Sequence, residues 1–542
     1  MPSDPRPPEH SLESSFAEEL RAVRPDLVPA FHRALPGARA AVLARLWRSL
    51  RFEQLPGAEG HRLDGPDLRG YEVGAPKDEF TVQADGRTFT DPAALVTALG
   101  LVGGAGFAAE VAHSTASLAL SRAGAADASG KAGPAGTADA ATPPRGTGLV
   151  GQEQSVVDGH PYHPCCRSRP GFTVADQLAY APEHRPVVPL GLVPLPPSAC
   201  AVVGDWPEAL RDGRGRLLLP AHPWQLREVL PGLGFPAAEG SLTADPLMAL
   251  RTLAPVDGGP HLKTALSLRM TSSVRDISGS SVRNSGALSA LLTAVTERLG
   301  GALVITRNLA AASALTGPRC GSLTGPGREF SAELAVLVRE SPEVHAGPGE
   351  RVLPLGAISA VSGDPVAWLG GLARLAWPPL LRLLSWGVAL EAHGQNLLVV
   401  LDQRDRPLRL VYRDLADVRI SPLRLAGIGV HPGGLAGHVL EDDPARLRRK
   451  LTGSLLGGGF SSLVSQLGLG SRGLEDELWA AVADAARSAA AVLTPEDRRA
   501  LLEQPLPVKA LSRMRLEGQP PGDQWTLLPN PLAAAPGGKS SQ

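Results

Sequence analysis

Apolar side chains recur at three- to four-residue spacing from Phe16 to Leu27 and from Ala40 to Leu50, which predicts helices in both stretches. Phe80 to Thr90 alternates apolar and polar residues about Asp85-Gly86, the pattern of a tight hairpin. A further helix is predicted from about Gly106 to Ala123. The stretch from about 122 to 148 is small, polar and nearly free of large apolar side chains, so it reads as a mobile loop ending in a boundary near Gly148. In the middle third, Arg216 to Gln225 reads as a short apolar strand entering a helix, and Leu262 to Arg275 as one strand with a polar face. From about Glu329 helices are expected to dominate: Ala332 to Arg339, then Pro365 to Leu390 with a break at Pro378-Pro379. A hairpin from Leu397 to Leu415 turns around Asp405-Arg406-Pro407, and helices follow over 444–467 and 474–493. The pattern predicts an α+β fold in three portions: 1–148 mostly helical, 149–328 strand-rich and 329–542 mostly helical, with a disordered tail after about 533.

Length and charge narrow the function. The 542 residues suffice for several cores, and 53 basic against 54 acidic side chains leave a net charge of -1. That balance gives no reason to expect a nucleic-acid or membrane partner. The longer apolar runs, such as Leu375 to Leu381, stop well short of a membrane span. The first twenty residues are polar and proline-rich, unlike a signal peptide, and four cysteines do not make a disulfide framework. The expectation is a cytoplasmic protein. Abundant Ala, Gly, Pro, Arg and Leu suggest a GC-rich genome, so Arg in place of Lys carries no functional signal here.

Three segments carry candidate chemistry. The first is Glu391-Ala-His-Gly-Gln-Asn396, followed by the hairpin and Tyr412-Arg-Asp414. A hairpin brings its ends together, so Asp414 should lie near His393 to Asn396, and two carboxylates with an amide oxygen suit Mg2+. Protein kinases share this layout: an Asn, a short hairpin, then a metal-binding Asp. The second is Asp158 to Gly171, with His160, His163, Cys165 and Cys166. Zinc is one reading, but adjacent cysteines between prolines fit tetrahedral chelation poorly. A phosphate or carboxylate clamp of His163, Arg167 and Arg169 fits better. The third is the Lys263 to Arg275 strand, on which Lys263, Ser267, Arg269, Thr271 and Ser273 share one face suited to a triphosphate. No Walker loop or dinucleotide glycine fingerprint is present.

In order, GHPYHPCCRSRPGF, LPAHPWQ, KTALSLRMTSSVRDIS with SVRNSG, VLVRESP, EAHGQN, YRDL, and VKALSRMRL with NPL resemble the NRPS-independent siderophore synthetases of the IucA/IucC, aerobactin-synthetase-like family. They span about Gly159 to Leu532, and nothing in the amino-terminal region matches. The resemblance implies a hand-like, three-part enzyme of thumb, fingers and palm, with a kinase-like carboxyl-terminal metal hairpin, working as a homodimer. Such enzymes adenylate a carboxylic acid, often citrate, and pass the acyl group to an amine or hydroxyl. Carried over, His163, Arg167, Ser273 and Arg275 contact ATP phosphates, with Lys263, Ser267, Arg269, Thr271, Ser272 and Asn284 completing the nucleotide set. Glu391, Gln395, Asn396 and Asp414 hold Mg2+, the split between Gln395 and Asn396 being open. His393, Lys509 and Arg275 are the catalytic candidates, with His393 a candidate base, and Arg283, Asn284, His393 and Lys509 face the acid or the amine.

The chain departs from the family pattern at Asp276, where Thr is common, and at Asn284-Ser-Gly-Ala287, where relatives often carry Asn-Gly-Pro-Arg. An acid-binding Arg is thereby missing, and Arg283 stands on the other side of Asn284 as its candidate replacement. The alternatives are a kinase-like small-molecule phosphotransferase, a citrate- or siderophore-binding protein and a zinc-stabilised module.

Overall fold

A computed structural model describes residues 12–72, 79–131, 148–271, 273–316, 329–518 and 522–534. The amino-terminal unit packs helices α1 (Leu12–Val23), α2 (Val28–Phe52), α3 (Pro92–Leu99) and α4 (Gly104–Lys131) around one apolar core. The expected hairpin forms from strands Val82–Ala84 and Arg87–Phe89, and Asp85 and Gly86 both take positive φ in its turn. The long helix runs past Ala123 to Lys131, and the rest of the supposed loop lies outside the described residues. The tail after 534 lies outside them as well.

The middle of the molecule is an eight-stranded antiparallel sheet. Its order is Cys200–Gly204, Asn308–Thr316, Glu329–Arg339, His261–Thr264, Thr252–Pro255, Ser241–Pro246, Val188–Leu195 and Leu217–Ala221. The strand Leu217–Ala221 enters the helix Pro223–Glu228, as its sequence predicts. Two expectations need correction here. Glu329–Arg339 is a strand, not a helix: its last six residues are buried on both faces, and such a continuous apolar run has no period to distinguish strand from helix. Lys263 to Arg275 is not one strand. It breaks into His261–Thr264, which stays in the sheet, and a hairpin of Leu266–Met270 with Ser273–Arg275, turned at Thr271 with φ 53°.

The carboxyl-terminal unit centres on a four-stranded sheet ordered Leu303–Ile305, Pro407–Tyr412, Leu397–Leu401 and Arg351–Pro354. The expected boundary at 328/329 therefore falls between two strands paired in the middle sheet, while Leu303–Ile305 already belongs to the next one. Helix Pro365–Ser385 continues through Pro378 and Pro379, against expectation. Pro378 and Pro379 leave the Arg374 and Leu375 carbonyls without N–H partners, on an exposed and a half-buried residue, while Trp377, Leu380 and Leu381 of the same helix are fully buried. The predicted helix over 444–467 is interrupted by a π-helical turn at Leu455–Phe460. Its glycines allow a close approach that side chains would block. A Cβ at Gly457 would lie 2.6 Å from Val508, and one at Gly458 3.2 Å from the Cβ of His393. This turn presses together the two segments that carry His393 and Lys509.

Candidate active site

The chain reaches the site from helix Pro365–Ser385 through 390–396, then leaves along Leu397–Leu401 and returns on Pro407–Tyr412. The buried Tyr412 hydroxyl ties the two ends. It accepts from the Glu391 N–H at 3.2 Å and donates to the Asp414 carbonyl at 3.3 Å. Arg413 adds a brace, donating to the Gln395 carbonyl at 3.0 Å and to both oxygens of fully buried Glu153 at 2.5 and 3.0 Å.

Asp414 sits in the left-handed region with φ 69° and receives the Lys263 ammonium on both carboxylate oxygens, each at 2.7 Å. One ion pair thus joins the middle sheet to the carboxyl-terminal hairpin. Burial alone would push the Asp414 carboxyl up, but the charges of Lys263 and Arg339 outweigh it and hold it well below the usual range. Glu391, 11% exposed, accepts from Lys450 at 2.7 Å and Lys509 at 3.1 Å on the same oxygen. These two ammonium groups likewise override burial and hold its carboxyl far down. Lys509 also pairs with Asp523 at 3.2 Å. His393 accepts the Gln395 N–H on Nδ1 at 3.2 Å, and its Nε2 lies 3.3 Å from the Asn396 amide and 4.0 Å from Glu391. Burial lowers its pKa, which keeps the ring neutral near pH 7.

Across from these residues stands the wall formed by Arg275 and His163. The Arg275 guanidinium donates to Thr271 Oγ1 at 2.5 Å and to the Met270 carbonyl at 3.0 Å, and Arg251 grips the carbonyls of Arg275 and Asp276. His163 is fully buried; its Nδ1 accepts from the Cys165 N–H at 3.0 Å and its Nε2 has no partner among the described residues. Burial, with the charges of Arg275 and Arg45, lowers it to about 3. A neutral ring whose Nδ1 already accepts keeps its proton on Nε2, so His163 offers one unsatisfied donor beside Arg275.

Other expected contacts are engaged elsewhere. Arg167 donates to the Val157 and Val156 carbonyls at 2.7 and 2.5 Å and faces Glu183, which also pairs with Arg169 at 2.8 Å. Ser267 is held by Gln225 and donates to Asp276 at 2.6 Å, which gives the HPWQ segment and Asp276 a shared structural role. Asn284 exchanges hydrogen bonds with the Ala436 backbone at 2.9 and 3.3 Å. Arg283 is exposed, with its guanidinium 4.6 Å above the Phe330 ring. Arg269 and Ser273 are half-buried on the hairpin, and Ser272 lies outside the described residues. Cys165 is buried in the amino-terminal core, and among the described residues no three His, Cys, Asp or Glu are grouped to hold a metal. Lys450, Arg339 and Arg251 were not singled out from the sequence, yet their charges bear directly on Glu391 or Asp414.

The model of the "IucA / IucC family" matches residues 149–360, and that of the "Ferric iron reductase FhuF-like transporter" matches 366–523. The latter segment contains no cysteine. An uncharacterized protein, y4xN, of Sinorhizobium fredii is 26% identical over 460 residues, 70% of this chain and 71% of that protein. The citryl-spermidine/3,4-dihydroxybenzoyl-citryl-spermidine:spermidine ligase of Bacillus anthracis is 24% identical over 316 residues, 48% of this chain and 50% of the relative, so the alignment spans about half of that enzyme. The structure of ATP-bound aerobactin synthetase IucA from a hypervirulent pathotype of Klebsiella pneumoniae superposes with a TM-score of 0.71 at 20% identity, covering 92% of this chain and 99% of that one. The ordered motifs and the model matched over residues 149–360 relate this chain to the IucA/IucC family of NRPS-independent siderophore synthetases, and its mixed helix-and-sheet fold is shared with IucA.

Proposed function

We propose that the chain is an ATP-dependent siderophore synthetase that adenylates citrate or a citryl derivative and condenses it with an amine or hydroxyl. The observation that carries this reading is the pair of lysine-bound carboxylates, Asp414 with Lys263 and Glu391 with Lys450 and Lys509. Relatives named as a citryl-spermidine ligase and an ATP-bound synthetase support it. The same reading implies a thumb, fingers and palm corresponding roughly to 1–148, 149–328 and 329–542, and a cytoplasmic homodimer.

Glu391 and Asp414, whose backbones share the Tyr412 hydroxyl, would hold Mg2+ through their carboxylates, with an amide oxygen of Gln395 or Asn396 completing the set. When bound there, the ion would neutralise charge on the triphosphate. Arg275 and the Nε2–H of His163 form a donor wall for the phosphates, and Lys263 and Arg339 add positive charge behind Asp414. Lys450 and Lys509 are placed to receive the acid's carboxylates. His393, whose Nδ1 meets the Gln395 N–H and whose Nε2 faces the Asn396 amide, stands beside Glu391 as the candidate base for the amine.

In the first step an acid carboxylate oxygen attacks the α-phosphorus and pyrophosphate leaves. In the second, a neutral amine attacks the acyl carbon, loses its proton and expels AMP together with that oxygen. A screen of citrate, 2-oxoglutarate, succinyl-amines and citryl-amines against polyamines and hydroxamate amines should give AMP and pyrophosphate only when both an acid and ATP are present. Formation of ADP instead would identify a phosphotransferase, and acid binding without any nucleotide turnover a binding protein.

A further inference from the structure

The amino-terminal helices carry none of the motifs, yet α2 reaches both the 158–166 segment and the segment that carries Lys509. We propose that Arg48 on α2 and Glu53, the residue that caps its carboxyl-terminal end, form a positioning pair for the condensation, fixing Lys509 relative to the turn that holds His160 and His163. This rests on the reading of Lys509 as a substrate-facing residue.

Glu53 has no exposed side-chain surface, and its carboxylate is fully used. One oxygen accepts the N–H groups of Ser512 at 2.7 Å and Arg513 at 3.3 Å. The other accepts from Ser49 Oγ at 3.2 Å and Arg48 at 3.3 Å. Ser512 Oγ and Ser49 Oγ are also joined at 2.7 Å. Helix Leu511–Leu516 has no side-chain cap from Ala510, so Glu53 supplies the acceptor its first turn lacks. Lys509 ends the strand Leu506–Lys509 immediately before this helix. An anchor on Ser512 therefore limits how far Lys509 can move.

Arg48 makes the opposite connection. Its Nε donates to the Gly70 carbonyl at 2.5 Å, and its guanidinium lies 4.6 Å over the Tyr162 ring. Tyr162 stands between His160 and His163, donates its hydroxyl to the Tyr71 carbonyl at 2.8 Å, and packs against Leu511 and Met514. One turn earlier, Arg45 donates to the carbonyls of Pro161 at 3.1 Å and Asp158 at 3.3 Å. The phosphate-side turn and the Lys509 segment thus meet at a buried ion pair on a third element. Hydrogen-bonded charges accept only one arrangement of the three segments, and apolar residues here would leave the Ser512 N–H and the Gly70 carbonyl unpaired.

The test compares Glu53→Gln and the double variant Arg48→Met/Glu53→Gln with the wild-type chain. The double variant removes both charges at once and so avoids stranding one of them. Two readouts are taken: acetylation of Lys509 by an N-hydroxysuccinimide ester, followed by mass spectrometry, and citryl hydroxamate formation with citrate, ATP, Mg2+ and hydroxylamine. Because a displacement of about 1 Å can cost about 100-fold in rate, hydroxamate formation should fall about 10- to 100-fold. Lys509, no longer held at 3.1 Å from Glu391 and 3.2 Å from Asp523, should be acetylated at least about tenfold faster, because its amine is no longer shielded by these two partners. Wild-type labelling and turnover in a folded variant would overturn the proposal, as would a fall in thermal midpoint with both readouts unchanged. Glu53→Gln, which keeps shape and one acceptor, decides the matter if the double variant does not fold. If the wild-type chain makes no hydroxamate with citrate or with any other acid of the screen, the synthetase reading fails, while Lys509 labelling still decides the positioning role.

Discussion

Replacing Asp414 by Asn should reduce acid-dependent pyrophosphate release by about 1000-fold or more, the scale of losing a principal electrostatic group in an active site. The substitution isolates charge from shape. Asp414 sits at φ 69°, a conformation that Asn tolerates as well as Asp does, so the backbone has no reason to move. Lys263 is 8% exposed at its side chain, and burial lowers it to about 8 even with the carboxylate bound. Without Asp414 it loses the charge that sustains its own and becomes neutral near pH 7. The variant therefore gives up one negative and one positive charge together, and its thermal midpoint should fall only modestly. Steady-state pyrophosphate assays with a thermal scan check this. Wild-type turnover would remove Asp414 from the reaction.

The second large effect is on stability in mild acid. Burial lowers His163, His222 and His261 to about 3 and His113 and His184 to about 4. Each folded value lies below the ordinary value of about 6.5, so the unfolded chain takes up a proton that the folded chain refuses. Stability is complete above that ordinary value and declines as pH falls below it. At pH 5 the loss is about 2 kcal/mol for each such histidine. Glu391 and Asp414, held low by their lysines, add a further loss only below about pH 4. Urea unfolding at pH 7, 6 and 5 should show a steadily falling midpoint. An unchanged midpoint across that range would mean that these imidazoles are not buried as neutral rings.

What the sequence revealed and what it hid follow from how local each feature is. The hairpins at 82–89 and 397–412 and the Leu217–Glu228 strand-to-helix step were legible because turn residues and alternation lie within a few positions of each other. The hairpin logic expects Asp414 near His393 to Asn396, and the Tyr412 hydroxyl ties the Glu391 N–H to the Asp414 carbonyl. The Thr271 turn gave no signal, since a β-branched residue is a poor marker of positive φ. Strand Glu329–Arg339 was misread because both its faces are buried.

The ion pairs were hidden for another reason. Lys263 and Asp414 are 151 residues apart, and Lys450 and Glu391 are 59 apart, so no spacing rule connects them. Composition held a signal that was read in one direction only. The bias toward Arg made Arg in place of Lys uninformative, but it made a retained Lys informative. The chain has six lysines, and three of them, Lys263, Lys450 and Lys509, bind the site's carboxylates. A lysine is a compact point charge whose pKa responds to burial, whereas Arg is a wide fork that stays charged. That difference suits a site in which the ammonium groups must exchange one carboxylate partner for another.

The account's central claim is that the acid is activated through its own oxygen on the α-phosphorus. Citrate labelled with 18O in its carboxylates, incubated with the enzyme, ATP, Mg2+ and an accepted amine, tests it directly. The account predicts AMP carrying one 18O and unlabelled pyrophosphate. Label recovered in inorganic phosphate, with ADP as the nucleotide product, would contradict it.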